Sequence, residues 1–297
     1  MYEQIAANKR KSVVLVTFFL CLIFALAAVL AELAGMGRAG IVAALVIAGG
    51  VSMIGYYGSD NITLAISKAR PATKEEFPYL YNVVEGLALA AGVPAPRCYV
   101  IDDTAPNAFA TGHNPKNAVI CVTTGLLAKM DRAELEGVVA HEMSHIKNLD
   151  IRLMTLTVVM IGVVALLSDW IMRSFLWGGR GRRRIGDDKN GAGAILIIVG
   201  VVLAVLSPIA AQLIRLAISR KREFLADASG AMLTRYPAGL ASALRKLAAD
   251  TEPLEAANKA TAHLYIVNPL LDIKGAMNKL FSTHPPIEER IAALEKM

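Results

Sequence analysis

Four long apolar runs constrain the fold of this chain more than any other feature of the sequence. Two runs near the start, Ser12 to Ala31 and Ala39 to Ser59, contain no acidic residue, lysine or arginine. Two more uncharged runs follow, Leu153 to Ser168 and Ala192 to Ile214. About 20 uncharged apolar residues are enough for a helix to cross the hydrocarbon core of a bilayer. We therefore expect a mainly α-helical integral membrane protein with four apolar helices in two hairpins.

The charge distribution fits a membrane protein better than a nucleic-acid-binding protein. The chain has a formal net charge of +6 and is 55% hydrophobic. Its basic clusters, at Lys9 to Lys11 and at Arg180 to Arg184, lie beside apolar runs, as charges that flank membrane helices do. We expect the lipid bilayer as a partner, no nucleic acid, and a cytoplasmic N-terminus. A cleaved signal peptide is the alternative, but its apolar region is typically shorter, about 7–15 residues.

The second pair of apolar runs leaves its topology open. The loop between these two runs carries the basic cluster Arg180 to Arg184. If both runs cross the bilayer, the loop lies outside, against the positive-inside rule; if the pair packs without crossing, the rule is kept. The sequence is compatible with either arrangement.

The stretch from Asp131 to Asp150 predicts a helix with a metal-binding face. It opens with an acidic variant of the capping box, in which Glu134 follows the first aspartate by three residues. Within it, the sequence HEMSH puts His141 and His145 one helical turn apart, so that both imidazoles can bind one ion. Glu142 stands beside the first histidine, where its carboxylate can reach a water on that ion. This H-E-x-x-H arrangement is typical of zinc peptidases; the alternative is an amphipathic helix with two solvated or core histidines.

A third ligand is available on a second helix. Glu223 and Asp227 are four residues apart, so they lie on one face of the helix expected after the last apolar run. The Glu223 carboxylate would complete a His-His-Glu zinc site whose fourth position stays open for water. Asp227 would accept the free N–H of a ligand histidine and fix its tautomer. Alternatively, both carboxylates pair with nearby arginines on a solvated face.

The segment before the motif helix predicts a small β-sheet. Lys74 to Gly92 has the apolar spacing of an amphipathic helix, and β-like runs follow at Cys98 to Ile101 and Ala118 to Thr123. An extended edge strand beside the metal would offer its backbone to a peptide through β-pairing. The alternative is that these strands only pack under the motif helix. With this sheet, the expected fold is of the α+β type.

The order of these motifs resembles the HtpX family of bacterial membrane zinc proteases, which are relatives of the CAAX prenyl proteases. The two pairs of apolar runs match, together with four sequence motifs. The motifs are NAFATG at Asn107 to Gly112, HEMSHIKNLD at His141 to Asp150, REFLADASGA at Arg222 to Ala231 and THPPIEERI at Thr283 to Ile291. These features cover nearly the whole chain, and no core motif departs from the family pattern.

The resemblance implies a zinc centre with defined roles. His141, His145 and Glu223 are the implied zinc ligands, and Glu142 is the implied catalytic base. We accordingly expect a gluzincin-like catalytic domain that binds one zinc ion per subunit. The implied protein is a multi-pass protein of the cell inner membrane whose active site faces the cytoplasm.

These expectations divide the chain into four parts. The first two are an N-terminal transmembrane hairpin at 1–59 and a cytoplasmic catalytic part with the motif helix at 60–150. The last two are a second apolar hairpin, spanning or membrane-packed, at 151–218 and a C-terminal catalytic part with the third ligand at 219–297.

A further cation or hydrogen-bond donor commonly stabilises the oxyanion that forms during peptide hydrolysis. The candidates in the C-terminal part are His263, Tyr265, His284 and Arg290, and the resemblance favours the segment with His284 and Arg290. Asn107, in the NAFATG motif, is a further candidate contact for substrate. Each of them is also compatible with an ordinary surface or turn residue.

The expected function is zinc-dependent cleavage of polypeptides, with Glu142 moving the proton. The resemblance implies quality control of damaged or misassembled membrane and cytoplasmic proteins. One alternative is a CAAX-type protease that acts on prenylated C-termini, although four apolar runs are fewer than such enzymes normally carry. Another is a non-catalytic membrane channel or transporter, in which polar residues would be expected within the membrane helices. The apolar runs are nearly free of such residues.

Overall fold

A computed structural model describes residues 2–33, 37–162, 220–257, 261–269 and 285–297. Most of the predicted second apolar hairpin, with its basic loop, falls on residues 163–219 and lies outside the described residues. The same holds for the candidate residue His284.

Two long helices form the N-terminal part of the chain and contact each other. They are α1 (Tyr2–Leu33) and α2 (Gly37–Tyr57), which contain most of the first two predicted apolar runs. A short helix, α3 (Ser59–Ile66), follows α2 almost directly. Across the described ranges, no helix combines the length and the apolar character that a membrane crossing requires. The four predicted membrane helices remain a prediction.

A four-stranded mixed sheet follows α3 in the chain. The strands β2 and β4 are parallel, while the outer strands β1 and β3 run antiparallel to their neighbours. Ala108 of β3 lies opposite Val122, and Ala110 lies opposite Ile120. The sequence predicted β2 and β4 to within one residue, but it did not predict the short outer strands. The strands are β1 (Arg70–Pro71), β2 (Arg97–Ile101), β3 (Ala108–Thr111) and β4 (Val119–Thr123), in the spatial order β1-β2-β4-β3.

The predicted amphipathic helix before the sheet strands is present but shorter than expected. It is α4 (Pro78–Ala91), which begins with a proline because the fixed φ of proline suits the first turn of a helix. Gly92, with a φ of 69°, ends it in the left-handed conformation that glycine adopts readily. The other helices are α5 (Thr124–Lys129), the motif helix α6 (Arg132–Lys147), α7 (150–162), α8 (Arg220–Thr234), α9 (Pro237–Ala249) and α10 (Ile287–Leu294).

The motif helix α6 is buried along most of its length. It contacts α4, β3, α8 and α9, so neighbours surround it on several sides. Leu135, Val138 and Met143 are among its completely buried apolar residues. A helix buried in this way holds its polar side chains in an environment with little water, where each of them needs a partner.

Two glycines let the C-terminal helices approach α6 closely. A Cβ on Gly137 of α6 would lie 2.7 Å from the backbone nitrogen of Leu240 in α9. A Cβ on Gly230 of α8 would lie 3.0 Å from the backbone nitrogen of His141. A side chain at Gly137 would therefore displace a neighbouring helix, and one at Gly230 would require a shift of a few tenths of an ångström. The close contact at Gly230 therefore fixes α8 against α6, two turns from Glu223.

Candidate metal centre

The capping box of α6 begins the helix that carries both motif histidines. Asp131 accepts a hydrogen bond from the backbone N–H of Glu134, and the Glu134 carboxylate accepts one from the backbone N–H of Asp131. This confirms the capping box that the sequence predicted. Further along the helix, His141 and His145 lie one turn apart, with ring centroids 4.8 Å from each other. Both are almost completely buried, with 1% and 3% of their surface exposed.

Glu223 reaches the same point from α8. Its carboxylate oxygens lie 3.7 Å from Nε2 of His141 and 3.6 Å from Nε2 of His145. The two Nε2 atoms are 3.2 Å apart. One candidate ligand atom from each of the three residues lies within 4.8 Å of the other two. Three buried donors from two helices thus converge on one point.

Each histidine has a carboxylate on the side away from this point. Nδ1 of His141 lies 2.9 Å from Asp227, and Nδ1 of His145 lies 3.1 Å from Asp150. When Nδ1–H donates to a carboxylate, the lone pair of Nε2 is left to face a metal ion. The sequence suggested this arrangement for Asp227 and missed it for Asp150, whose only signal is an acidic residue at the end of the same motif.

Arg290 of α10 holds Asp227 in place. Its Nε and Nη2 donate to the two carboxylate oxygens at 2.8 and 2.7 Å, and its Nη1 donates to the carbonyl of Ile266 at 3.0 Å. Burial acts to raise the pKa of Asp227, but the charge and hydrogen bonds of Arg290 lower it to about 2. Asp227 is therefore ionised at neutral pH. A contact of Arg290 with substrate, as suggested by the sequence, stays a prediction.

Glu142 lies on α6 beside the three converging residues. Its side chain is 2% exposed, and its carboxylate accepts a hydrogen bond from the backbone N–H of Ala110 in β3. Burial raises the pKa of Glu142 to about 7. A carboxylate with a pKa near the working pH can both accept a proton from water and return it.

The two histidines differ in their electrostatic surroundings. Burial lowers the pKa of His141 to about 4, so this imidazole is neutral at neutral pH, as a metal ligand must be. Burial acts in the same direction on His145, but the hydrogen bond with Asp150 and the charge of Glu223 raise its pKa to about 9. The negative charges around His145 thus favour a cation where the two histidines and Glu223 converge.

The donor set fits zinc. Two imidazole nitrogens and one carboxylate are the protein ligands of many catalytic zinc sites, which keep a fourth position for water. Calcium instead prefers about 6–8 oxygen ligands, and this cluster offers one carboxylate. The carboxylates behind the histidines complete the arrangement because they fix the tautomer that a zinc ligand needs.

The other candidate residues have partners of their own. The side-chain amide of Asn107 is buried and donates a 3.0 Å hydrogen bond to the carbonyl of Val267. His263 is buried, with Nε2 lying 3.3 Å from a backbone carbonyl of α7. Tyr265 is completely buried and packs edge-to-face against an aromatic ring of β3. Contacts of Asn107, His263 or Tyr265 with substrate stay predictions.

Comparisons with known proteins point to one family. A family model described as Peptidase family M48 matches residues 74–297. The protein named Protease HtpX homolog from Dictyoglomus thermophilum is 51% identical over 296 residues, which are 100% of this chain and 94% of the relative. The protein of the same name from Thermoanaerobacter pseudethanolicus is 48% identical and covers 100% of this chain and 98% of its own length. The one from Tropheryma whipplei is 43% identical, with the same coverage.

A solved structure has a similar fold. The crystal structure of S. mikatae Ste24p superposes with a TM-score of 0.51 at 18% sequence identity. The match covers 99% of this chain and 67% of that chain. At this identity the likeness concerns the fold alone.

Proposed function

Since this chain belongs to peptidase family M48 and is a metallopeptidase, we propose that it is an endopeptidase with one zinc ion bound by His141, His145 and Glu223. Glu142 is the general base, and Asp227 holds His141 in the tautomer of a ligand. The observation that carries this proposal is the convergence of three buried ligand atoms within 4.8 Å, beside a further buried carboxylate.

Each residue of the metal centre has a separate role in peptide hydrolysis. Zinc, when bound, supplies a Lewis acid that polarises the scissile carbonyl and lowers the pKa of water from 15.7 towards about 7. Glu142 accepts a proton from the attacking water and later delivers it to the leaving amine, a contribution of about 10²–10⁴-fold. Asp227, held by Arg290, keeps His141 oriented throughout.

The edge strand β3 supports binding of an extended peptide. The Ala110 N–H bonds the carboxylate of Glu142, so this strand lies against the proposed base. In antiparallel pairing, every second residue turns both backbone groups away from the neighbouring strand, which puts the carbonyls of Ala108 and Ala110 on the outer edge. The Ala108 carbonyl already accepts a 2.9 Å hydrogen bond from the N–H of Ile266. A substrate backbone would therefore pair at the Ala110 end of the strand.

Pairing with β3 favours unfolded substrates. The backbone groups of a folded protein are largely paired with each other, whereas those of an extended segment in an unfolded or misassembled protein are free to pair with an edge strand. On this ground we propose a role in protein quality control, with damaged membrane and cytoplasmic proteins as substrates.

The N-terminal helices support attachment to the inner membrane. Large apolar side chains on α1 and α2 are more than half exposed, among them Val14, Phe18, Val46 and Ile54. Large apolar side chains exposed in this number suit contact with lipid. The basic cluster Lys9 to Lys11 favours an N-terminus in the cytoplasm, and we propose that the metal centre faces the same side.

The test is cleavage of an unfolded protein by the detergent-purified full-length chain. The assay contains zinc, a chelator, or the Glu142→Gln variant in place of the wild type. We expect cleavage by the wild type with zinc, none with chelator or with the variant, and recovery when zinc is added back. Cleavage that survives complete removal of the metal would contradict the proposal.

A prenylated peptide in the same assay tests the alternative of a CAAX-type protease. We expect cleavage of unmodified unfolded polypeptides, with no requirement for a prenyl group. If only the prenylated peptide is cut, and its unmodified form is not, the CAAX-type function is correct and the quality-control function is wrong.

A further inference from the structure

The N-terminal helix reaches the metal centre through one buried polar side chain. Asn8 of α1 is 3% exposed. Its Nδ2 donates to Oδ1 of Asp150 at 2.7 Å and to the backbone carbonyl of Asn148 at 2.9 Å. The other carboxylate oxygen of Asp150 lies 3.1 Å from Nδ1 of His145. A continuous series of contacts therefore runs from α1 to a proposed zinc ligand.

The turn that follows α6 explains why Asp150 needs this support. Asn148 caps the C-terminal end of α6, and Leu149 has a left-handed backbone with a φ of 60°. This turn brings Asp150 back to His145, five residues earlier in the chain. A non-glycine residue in this conformation is strained and persists only where its surroundings hold it. Asn8 bonds the residues on both sides of Leu149, and so holds the turn as well as the carboxylate.

Arg222 joins the same network from α8. Its Nη1 lies 3.5 Å from Oδ1 of Asn8 and 3.6 Å from Oδ1 of Asp150. Arg222 precedes Glu223 in the chain, so the network touches both helices that carry the proposed ligands. Asn8, Asp150 and Arg222 are all buried. In such surroundings a lost hydrogen bond is not replaced by water without cost.

We propose that Asn8 is a positioning residue of the metal centre, which holds Asp150 in the orientation that fixes the ring and tautomer of His145. The N-terminal helix is then a part of the metal site and not only an apolar anchor. This inference rests on the proposed zinc site. Groups that orient a metal ligand typically change metal affinity by about 10–100-fold. Since Asn8 acts through Asp150, we expect its loss to weaken zinc binding about tenfold, the lower end of that range.

The test compares Asn8→Ala with Ser12→Ala in the full-length protein. Ser12 lies one turn further along α1, is 1% exposed, and its hydroxyl has no hydrogen-bond partner among the described residues. Both variants remove a buried polar group from the same helix, but only Asn8→Ala breaks the contact with Asp150. Zinc dissociation constants are measured by competition with a chromophoric chelator. The absorption spectrum of the Co²⁺-substituted protein reports the ligand geometry.

We expect about tenfold weaker zinc binding and an altered cobalt spectrum for Asn8→Ala, and wild-type behaviour for Ser12→Ala. A double-mutant cycle adds Asp150→Ala, which removes the carboxylate through which Asn8 acts. Combining Asn8→Ala with Asp150→Ala should then cause little further loss, because both changes remove one contact. If Asn8→Ala does not fold, Asn8→Leu keeps a side chain of similar size without a hydrogen-bond donor or a charge and makes the same comparison.

Two results would overturn the role of Asn8. One is equal zinc affinity for Asn8→Ala and Ser12→Ala, and the other is additive losses in the cycle with Asp150→Ala. Neither result bears on the proposed zinc site, which fails separately if the wild-type protein binds no zinc.

Discussion

Arg290 and Asp227 form a buried ion pair directly behind the proposed ligand His141, with nitrogen–oxygen distances of 2.8 and 2.7 Å. The arginine lies on α10 and the aspartate on α8, so the pair fastens the last described helix to the helix that carries Glu223. Removing one partner of such a pair leaves a buried charge without compensation. The C-terminal helix is for this reason coupled to the metal centre.

Replacing Arg290 by methionine tests this coupling. We expect the free energy of unfolding to fall by about 3–5 kcal/mol, because Asp227 loses its charged partner in a buried site. Urea denaturation measures the change, and chelator competition should show weaker zinc binding as well. Arg245→Met is the matched control, since Arg245 and Glu295 form an ion pair that is about half exposed and contributes about 0–1 kcal/mol.

Equal shifts in stability for Arg290→Met and Arg245→Met would contradict the coupling. A third outcome would give Arg290 a different role. If Arg290→Met keeps its stability and its zinc but loses cleavage, then Arg290 acts on the substrate, as the sequence suggested.

Replacing Gly230 by alanine tests whether the distance between α6 and α8 determines the geometry of the metal site. A Cβ at this position would lie 3.0 Å from the backbone nitrogen of His141, so Gly230→Ala requires α8, and Glu223 with it, to shift from α6 by a few tenths of an ångström. We expect cleavage to fall by about 3- to 10-fold, since a displacement of 1 Å in a catalytic group can cost about 100-fold. Zinc affinity should fall in parallel.

Gly86→Ala is the control for Gly230→Ala. Gly86 lies in α4, and a Cβ there would meet nothing within 4 Å. Alanine is favoured over glycine in a helix by about 0.8–1 kcal/mol, so this variant should be as stable as the wild type or more so, with full activity. Full activity and zinc affinity in Gly230→Ala would show that the helix contact does not set the site.

The capping box of α6 makes stability depend on pH through Glu134. Burial acts to raise the pKa of this carboxyl, but hydrogen bonds from Lys246, the Asp131 backbone and Ser242 lower it below its ordinary value of 4.5. A group whose pKa is lower in the folded state contributes stability above its unfolded pKa and loses it as the pH falls. Glutamine keeps the capping box but not the charge that faces Lys246, so Glu134→Gln should cost about 1–2 kcal/mol at pH 7. The difference from the wild type should shrink below about pH 4.5.

Urea unfolding at pH 7 and at lower pH measures this dependence. Glu136→Gln on the same helix is the control, because Glu136 forms a 2.9 Å ion pair with the largely exposed Arg132. Such pairs contribute about 0–1 kcal/mol, so little change is expected at any pH. A Glu134→Gln difference that persists unchanged in acid would contradict the assigned role of its charge.

The parts of the fold that local sequence determines were predicted well. The capping box of Asp131 and Glu134 acts over three residues, and the structure confirms it. The amphipathic helix predicted within Lys74 to Gly92 is present as Pro78–Ala91. The short strand β3 was not predicted, because its four residues are held by pairing with β4 and by contact with α6, which no local pattern reveals.

The residues of the metal centre can likewise be separated into those that local sequence predicts and those that it does not. His141, Glu142 and His145 could be chosen because their spacing on one helix carries the chemistry. Glu223 was chosen because a zinc site needs a third ligand and because it shares a helix face with Asp227, four residues on; the resemblance of the surrounding motif supported the choice. Asn8 lies 142 residues before the carboxylate that it contacts. Its role depends on tertiary structure, and nothing in the residues beside it in the sequence predicted it.

Two buried glutamates, Glu142 and Glu223, have different tasks in the proposed mechanism: the first moves a proton and the second binds zinc. The most direct measurement is the zinc content of Glu142→Gln and Glu223→Gln after both are equilibrated with limiting zinc, together with cleavage of an unfolded protein. We predict that Glu142→Gln keeps one zinc ion per chain and loses cleavage, whereas Glu223→Gln loses both. Zinc retained in full by Glu223→Gln, or cleavage retained by Glu142→Gln, would contradict the account.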